Sequence, residues 1–159
     1  MSRLRAGVFL CAAAALLTAM ARTPAEKEQG TMNDPSGLIV VDVSPSTWEG
    51  ANCSIAAAGE RVIRDEEAWK ALWREAFGAD APPVDFKKYF AAAVFLGVRN
   101  TGGYGVEFLP PAAAGQAIAL PYRAAAPASS SFVIQAFTQP YAIRLYRAAD
   151  APVKLRRVN

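Results

Sequence analysis

The side chains that most often perform nucleophilic or metal-assisted chemistry are scarce in this chain. Its 159 residues include no histidine and two cysteines, Cys11 and Cys53. Without an imidazole, a serine or cysteine lacks its usual general base, and the commonest zinc ligand is missing. The sequence therefore predicts a protein that is not an enzyme and that has no cofactor and no metal site.

Cys53 is predicted to be a small, buried, apolar residue rather than a nucleophile. Cys11 lies in a segment that is expected to be removed, as described below, so Cys53 has no partner for an internal disulfide.

The carboxylates also favour structural roles. Asp65, Glu66 and Glu67 are consecutive, and the first turn of a helix accounts for them. Asp85 is expected to hold its loop by hydrogen bonds. Glu107 and Arg144 are expected to form a cross-strand pair.

The first 21 residues have the pattern of an export signal. Arg3 and Arg5 form a basic start, Ala6 to Leu17 is an apolar run, and Ala19-Met20-Ala21 fits a cleavage site. The run is shorter than the roughly 20 apolar residues of a spanning helix, which favours cleavage over a retained anchor. Residues 1–21 are thus predicted to be a signal peptide, and the protein to be exported, periplasmic or extracellular, with no stable membrane insertion after cleavage.

The remaining chain divides into a linker and one domain. Residues 22–37 are polar with Pro and Gly, which predicts a flexible linker before a domain at 38–159. Removal of Arg3 and Arg5 leaves 15 basic and 14 acidic residues, a net charge of about +1. Such a balance gives no electrostatic reason to expect a nucleic-acid partner.

One amphipathic helix is predicted among several strands. From Asp65 onward, apolar residues recur at helical spacing up to Gly78, a typical helix stop. The apolar positions are Trp69, Leu72, Trp73, Ala76 and Phe77.

Strands are predicted wherever β-branched and aromatic residues dominate. The run from Phe90 to Val98 is apolar at every position, which indicates a central strand buried on both faces. Gly102-Gly103 predicts a hairpin turn after it. The other predicted strands or extended segments are 38–43, 52–57, 60–64, 116–122, 132–137, 141–147 and an exposed one containing 154–157.

These elements define an α+β fold. We expect a mainly antiparallel sheet of about six strands, partly closed or sandwich-like, with the amphipathic helix packed on it.

The segment Phe95–Glu107, with its Thr-Gly-Gly-Tyr core at 101–104, resembles the C-terminal domain of the protease complex subunit PrcB family. The Trp69/Trp73 helix, Val84-Asp85-Phe86 and Gln139-Pro140-Tyr141 match in order, so the resemblance covers roughly residues 55–149. It implies a non-catalytic, extracytoplasmic domain that binds a protein partner, in one described setting as a subunit accompanying a surface protease.

The candidate partner-binding residues lie in two segments. Loops held on a rigid sheet are common recognition devices. The candidates are Arg99, Asn100, Thr101, Gly102, Gly103, Tyr104, Gln139, Pro140 and Tyr141.

Three functions remain open from the sequence. The first is an accessory or stabilising subunit, or a regulator, of a protease. The second is a protease inhibitor that uses Asn100–Tyr104 as a wedge, because this loop loosely resembles one in chagasin-type inhibitors. The third is a structural envelope protein without a link to proteases.

Overall fold

A computed structural model describes residues 46–159. In this range the chain forms eight strands and one helix: β1 (Thr47–Gly50), β2 (Gly59–Ile63), α1 (Glu66–Phe77), β3 (Tyr89–Phe95), β4 (Gly105–Phe108), β5 (Ala112–Ala114), β6 (Ala117–Ala125), β7 (Tyr141–Arg147) and β8 (Val153–Val158).

The strands form two sheets. In the first sheet the order is β1-β7-β3-β2, and every neighbouring pair is antiparallel. In the second sheet the long strand β6 pairs antiparallel with β4 and β5 and parallel with β8. Residues 118–119 of β6 pair with β5, residues 122–123 pair with β4, and all four also pair with β8. Strand β8 therefore lies along one edge of β6, and β4 and β5 lie along the other.

Helix α1 is bounded by the caps that the sequence predicts. The carboxylate of Asp65 accepts a hydrogen bond from the backbone N–H of Ala68 at 2.8 Å. Gly78 ends the helix at φ +62°, a left-handed conformation that glycine adopts without steric cost. The buried face presents Trp69, Leu72 and Ala76 to the first sheet, in agreement with the predicted stripe.

Strand β3 connects the two halves of the core, because both of its faces are buried. Phe90, Ala92 and Val94 pack towards the second sheet. Ala91, Ala93 and Phe95 pack towards the helix. The fold is therefore three layers, helix on sheet on sheet, with an apolar core in each gap.

The predicted fold class is confirmed as α+β with mostly antiparallel strands and one helix. The two sheets are not closed into a barrel, and within residues 46–159 the strands number eight rather than about six. The helix, the doubly buried strand and strands β2, β6, β7 and β8 agree with their predicted positions.

Several local predictions are wrong. Residues 52–57 and 132–137 are not strands. Gly102-Gly103 does not turn a hairpin, because β3 and β4 lie in different sheets. Glu107 does not pair with Arg144; its carboxylate lies 3.5 Å from the Arg123 guanidinium, because β4 pairs with β6.

The predicted signal peptide (1–21), the linker (22–37) and the strand at 38–43 lie outside the described residues. Within residues 46–159, no helix is long and apolar enough to cross a membrane.

Candidate functional site

The predicted partner-binding residues lie in two loops that run side by side, except for Tyr141, which is the first residue of β7. The first, residues 96–104, leads from β3 to β4; the second, residues 126–140, leads from β6 to β7. Arg99 and Thr138 exchange both backbone hydrogen bonds, at 2.8 and 2.9 Å. The Thr138 hydroxyl donates to the Thr101 carbonyl at 2.9 Å, and the Gly102 N–H donates to the Ile134 carbonyl at 3.0 Å. The two segments therefore form one surface, which we call the paired loops.

The glycine pair makes this close approach possible. A Cβ at Gly102 would lie 2.7 Å from Cγ1 of Ile134. At Gly103, where φ is +83°, a Cβ would lie 2.9 Å from Pro127 and from Val133. The Gly-Gly signal thus marks a place where the second loop rests on the first, rather than the tip of a hairpin.

The predicted residues differ in exposure. Asn100 and Gly103 are exposed, whereas Gly102 and Pro140 are buried. The others are half-buried: Arg99, Thr101, Tyr104, Gln139 and Tyr141. In this arrangement Gly102 and Pro140 shape the surface, and the exposed and half-buried residues are available for contact.

Arg99 is the cation of this surface. Its guanidinium lies 5.5 Å from the centre of the Tyr104 ring, a cation–π distance. No carboxylate of residues 46–159 lies within ion-pair distance of it. Its charge is held in position by an aromatic ring and is not neutralised by a neighbouring acid.

The paired loops also expose apolar side chains that the sequence did not single out for contact. Val98 is 42% exposed, Ile134 65%, Phe137 73%, and Phe132 is fully exposed. We call these four the apolar rim. Exposed apolar groups of this size on one surface mark interaction sites more often than isolated ones do. For Phe132, Ile134 and Phe137, the signal that could have identified them is the absence of any charged residue from Ala124 to Ile143.

Cys53 lies beneath this surface. Its thiol donates weakly to the Gln139 carbonyl at 3.4 Å, and burial raises the pKa of Cys53. A thiol that stays protonated is a poor nucleophile. Cys53 therefore contributes packing and a weak hydrogen bond.

The carboxylates considered for chemistry are engaged with separate neighbours. Asp85 accepts from the Lys87 N–H at 3.1 Å, which lowers the pKa of Asp85, and its other oxygen lies 3.3 Å from Lys88. Glu107 lies beside Arg123 in the second sheet. In the part of the chain that the structure describes, no three His, Cys, Asp or Glu side chains form a possible metal site.

The fold and surface together define a two-sheet α+β domain. Within residues 46–159, its exposed large apolar side chains lie on the paired loops between the sheets, together with the half-buried Arg99. Residues 91–143 match the family model described as PrcB C-terminal. The matched segment contains most of β3, all of β4 to β6 and both paired loops. The resemblance predicted from the sequence is confirmed over this segment. No curated protein matches the chain. No solved structure matches it.

Proposed function

We propose that this protein is a non-catalytic, extracytoplasmic binding domain that attaches to a protease as an accessory or stabilising subunit or as a regulator. The protease link rests on the PrcB C-terminal match, which covers both paired loops. The export pattern of residues 1–21 supports a location outside the cytoplasm.

The observation on which the proposal depends is the composition of the paired loops. Backbone hydrogen bonds join the segments that carry the apolar rim, the exposed Asn100 and the Arg99 cation, to which no carboxylate of residues 46–159 is ion-paired. Apolar anchors with a polar border and a fixed backbone are typical of protein-recognition surfaces.

The test is affinity capture from the envelope fraction of cells that make the protein naturally. We expect wild type to retain a protease or its precursor, identified by mass spectrometry. A double variant, Asn100→Ala with Phe132→Ser, is expected to lose it, because both side chains are exposed and their replacement leaves the core intact.

A matched control changes two exposed residues of the helix, Glu67→Ala with Lys70→Ala. This control should capture as wild type does. Equal capture by all three proteins, or capture of partners with no proteolytic function, would contradict the proposal.

The inhibitor alternative needs a loop that projects freely as a wedge. Gly102 is buried beneath Ile134, so the geometry favours a broad contact surface over a wedge. Inhibition of papain-like proteases by the pure protein, abolished by Gly102→Pro, would reverse this preference.

A further inference from the structure

Residues 132–137 have the sequence of a strand but no strand partner. The run Phe-Val-Ile-Gln-Ala-Phe has high β propensity and no charge. In residues 46–159 none of its six backbone N–H groups donates to a protein acceptor, and its only backbone bond to another segment is from Gly102 N–H to the Ile134 carbonyl.

Most side chains of this run are exposed, and the amide of Gln135 donates within the run, to the Val133 carbonyl at 3.4 Å. Phe132, Ile134 and Phe137 are mostly or fully exposed, whereas Val133 is half-buried against Gly103. An uncharged, exposed, apolar segment with free backbone groups is a template for another strand, and monomeric proteins normally block such templates with charge or cover.

Resting on the proposed function, we infer that the partner binds by strand addition: an extended apolar segment of the protease pairs with Phe132–Phe137. Main-chain hydrogen bonds then supply affinity, and contacts with the apolar rim supply specificity.

Charge complementarity identifies the chemistry of that segment. The backbone of Arg99 is hydrogen-bonded to that of Thr138, at the end of the run, and in the described part of the chain no carboxylate is ion-paired with its guanidinium. After Phe86 the chain has nine cationic side chains and only two carboxylates, Glu107 and Asp150. The added strand therefore carries an Asp or Glu placed to meet Arg99.

A second copy of this chain meets these conditions less well. If two copies paired through this run, the residues around it, 124–143, would bring no carboxylate to Arg99. We therefore expect the protein to be monomeric in sedimentation at concentrations up to about 100 μM, and a dimer lost on Gln135→Pro would overturn the assignment of the strand to a partner.

The test uses a displayed library of random decapeptides selected on the full mature chain. We expect enriched peptides with alternating apolar residues and one Asp or Glu. A synthetic version of an enriched peptide, methylated on alternate backbone nitrogens, keeps its side chains but cannot pair as a strand. It should bind the protein at least tenfold more weakly than the unmethylated peptide.

Variants of the protein provide the reciprocal test. Gln135→Pro removes a free backbone N–H within the run and should weaken binding of the peptide at least tenfold. Ser129→Pro is the matched control, because it lies in the turn closed by Ser131 N–H to Ala128 carbonyl and should bind as wild type. Arg99→Gln should remove the preference for an acidic residue.

The outcomes separate this inference from the proposed function. Peptides that tolerate both backbone methylation and Gln135→Pro, or a selection that enriches nothing, would overturn strand addition. If a captured protease is lost with Asn100→Ala/Phe132→Ser but kept with Gln135→Pro, the proposed function stands and strand addition fails.

Discussion

At the scale of single residues, glycines determine how closely the loops approach the sheets. Gly97 follows β3 at φ +72°, and a Cβ there would lie 2.8 Å from the Ala58 nitrogen and 2.9 Å from the Ala56 carbonyl oxygen. Both neighbours are backbone atoms, so neither can move aside cheaply. The site where β3 leaves its sheet is therefore fixed by the absence of a side chain.

Three alanine substitutions separate strain from collision. At Gly97 an alanine would have both a strained positive φ and a Cβ too close to backbone atoms. At Gly115 it would have only the strained φ of +64°, and at Gly59 it would meet neither problem. We expect Gly97→Ala to lose the most free energy of unfolding, about 3 kcal/mol, Gly115→Ala about 1 kcal/mol, and Gly59→Ala almost none. Urea titration measures all three, and equal losses at Gly97 and Gly115 would contradict the close contact.

A hydrogen bond between side chains joins the two sheets. The Tyr122 hydroxyl on β6 donates to the Glu60 carboxylate on β2 at 2.5 Å. The pKa of Tyr122 is raised to about 12, mainly by burial of the phenol and secondly by its hydrogen bond to the Glu60 carboxylate. The neutral phenol is thus favoured in the folded protein.

This pKa predicts a loss of stability at alkaline pH. Because the folded pKa lies above the usual value of 10, the stabilisation is complete below pH 10 and is lost as pH rises towards 12. The loss is on the order of 2 kcal/mol. Urea unfolding between pH 9 and 12 measures it, and Tyr122→Phe should remove this part of the pH dependence. Identical profiles for the two proteins would argue against a shifted phenol.

At the scale of elements, the helix covers the first sheet with aromatic side chains. Trp69 lies 5.5 Å from Trp48 of β1 and 5.4 Å from Trp73, measured between ring centres. The Trp69 indole N–H donates to the Pro82 carbonyl at 2.8 Å, which satisfies the polar atom of a buried ring. Trp69 therefore serves the core, whereas the buried indole N–H of Trp73 has no hydrogen-bond partner among residues 46–159.

The start of the helix gives a prediction at this scale. Asp65→Ala removes the acceptor for the Ala68 N–H and should lower the free energy of unfolding by about 1 kcal/mol. Asp65→Asn keeps an acceptor for the Ala68 N–H and should retain most of the stability that the cap contributes. Tryptophan fluorescence during urea unfolding reports on the same helix, and a full loss in the asparagine variant would point to charge rather than capping.

Elements with a strong periodic pattern could be predicted from the sequence, and those defined by their partners could not. Asp65, Gly78 and the doubly apolar run of β3 determine local structure directly. The run 132–137 has strand propensity, but pairing depends on which strand lies beside it, and in residues 46–159 none does. The hairpin predicted from the glycine pair is wrong because β4 joins the other sheet, which no local pattern indicates.

The candidate site was predictable in part for the same reason. The first loop and the end of the second, Gln139-Pro140, were predicted by residue type, whereas 132–137 was predicted as a strand. The contact of the two loops through Arg99 and Thr138 is a long-range fact that no local pattern contains. The apolar rim was missed because Phe132, Ile134 and Phe137 resemble core residues until the fold leaves them outside.

At the scale of the whole molecule, charge is distributed unevenly along the chain. Of the ten carboxylates in residues 46–159, eight precede Phe86, among β1, β2, α1 and their connections. Nine of the thirteen cationic side chains follow it, including Lys154, Arg156 and Arg157 of β8. An acidic partner would be steered towards the later strands and the paired loops.

The central claim is that the paired loops are the surface that meets a protease. Site-specific photocrosslinking in the cells that make this protein tests it most directly, with benzoylphenylalanine replacing Phe132, Asn100 or, as a control on the exposed helix face, Lys70. The account predicts one discrete adduct from the first two positions, containing a protease by mass spectrometry, and none from Lys70. An adduct from Lys70 alone, or none from Phe132 and Asn100, would contradict it.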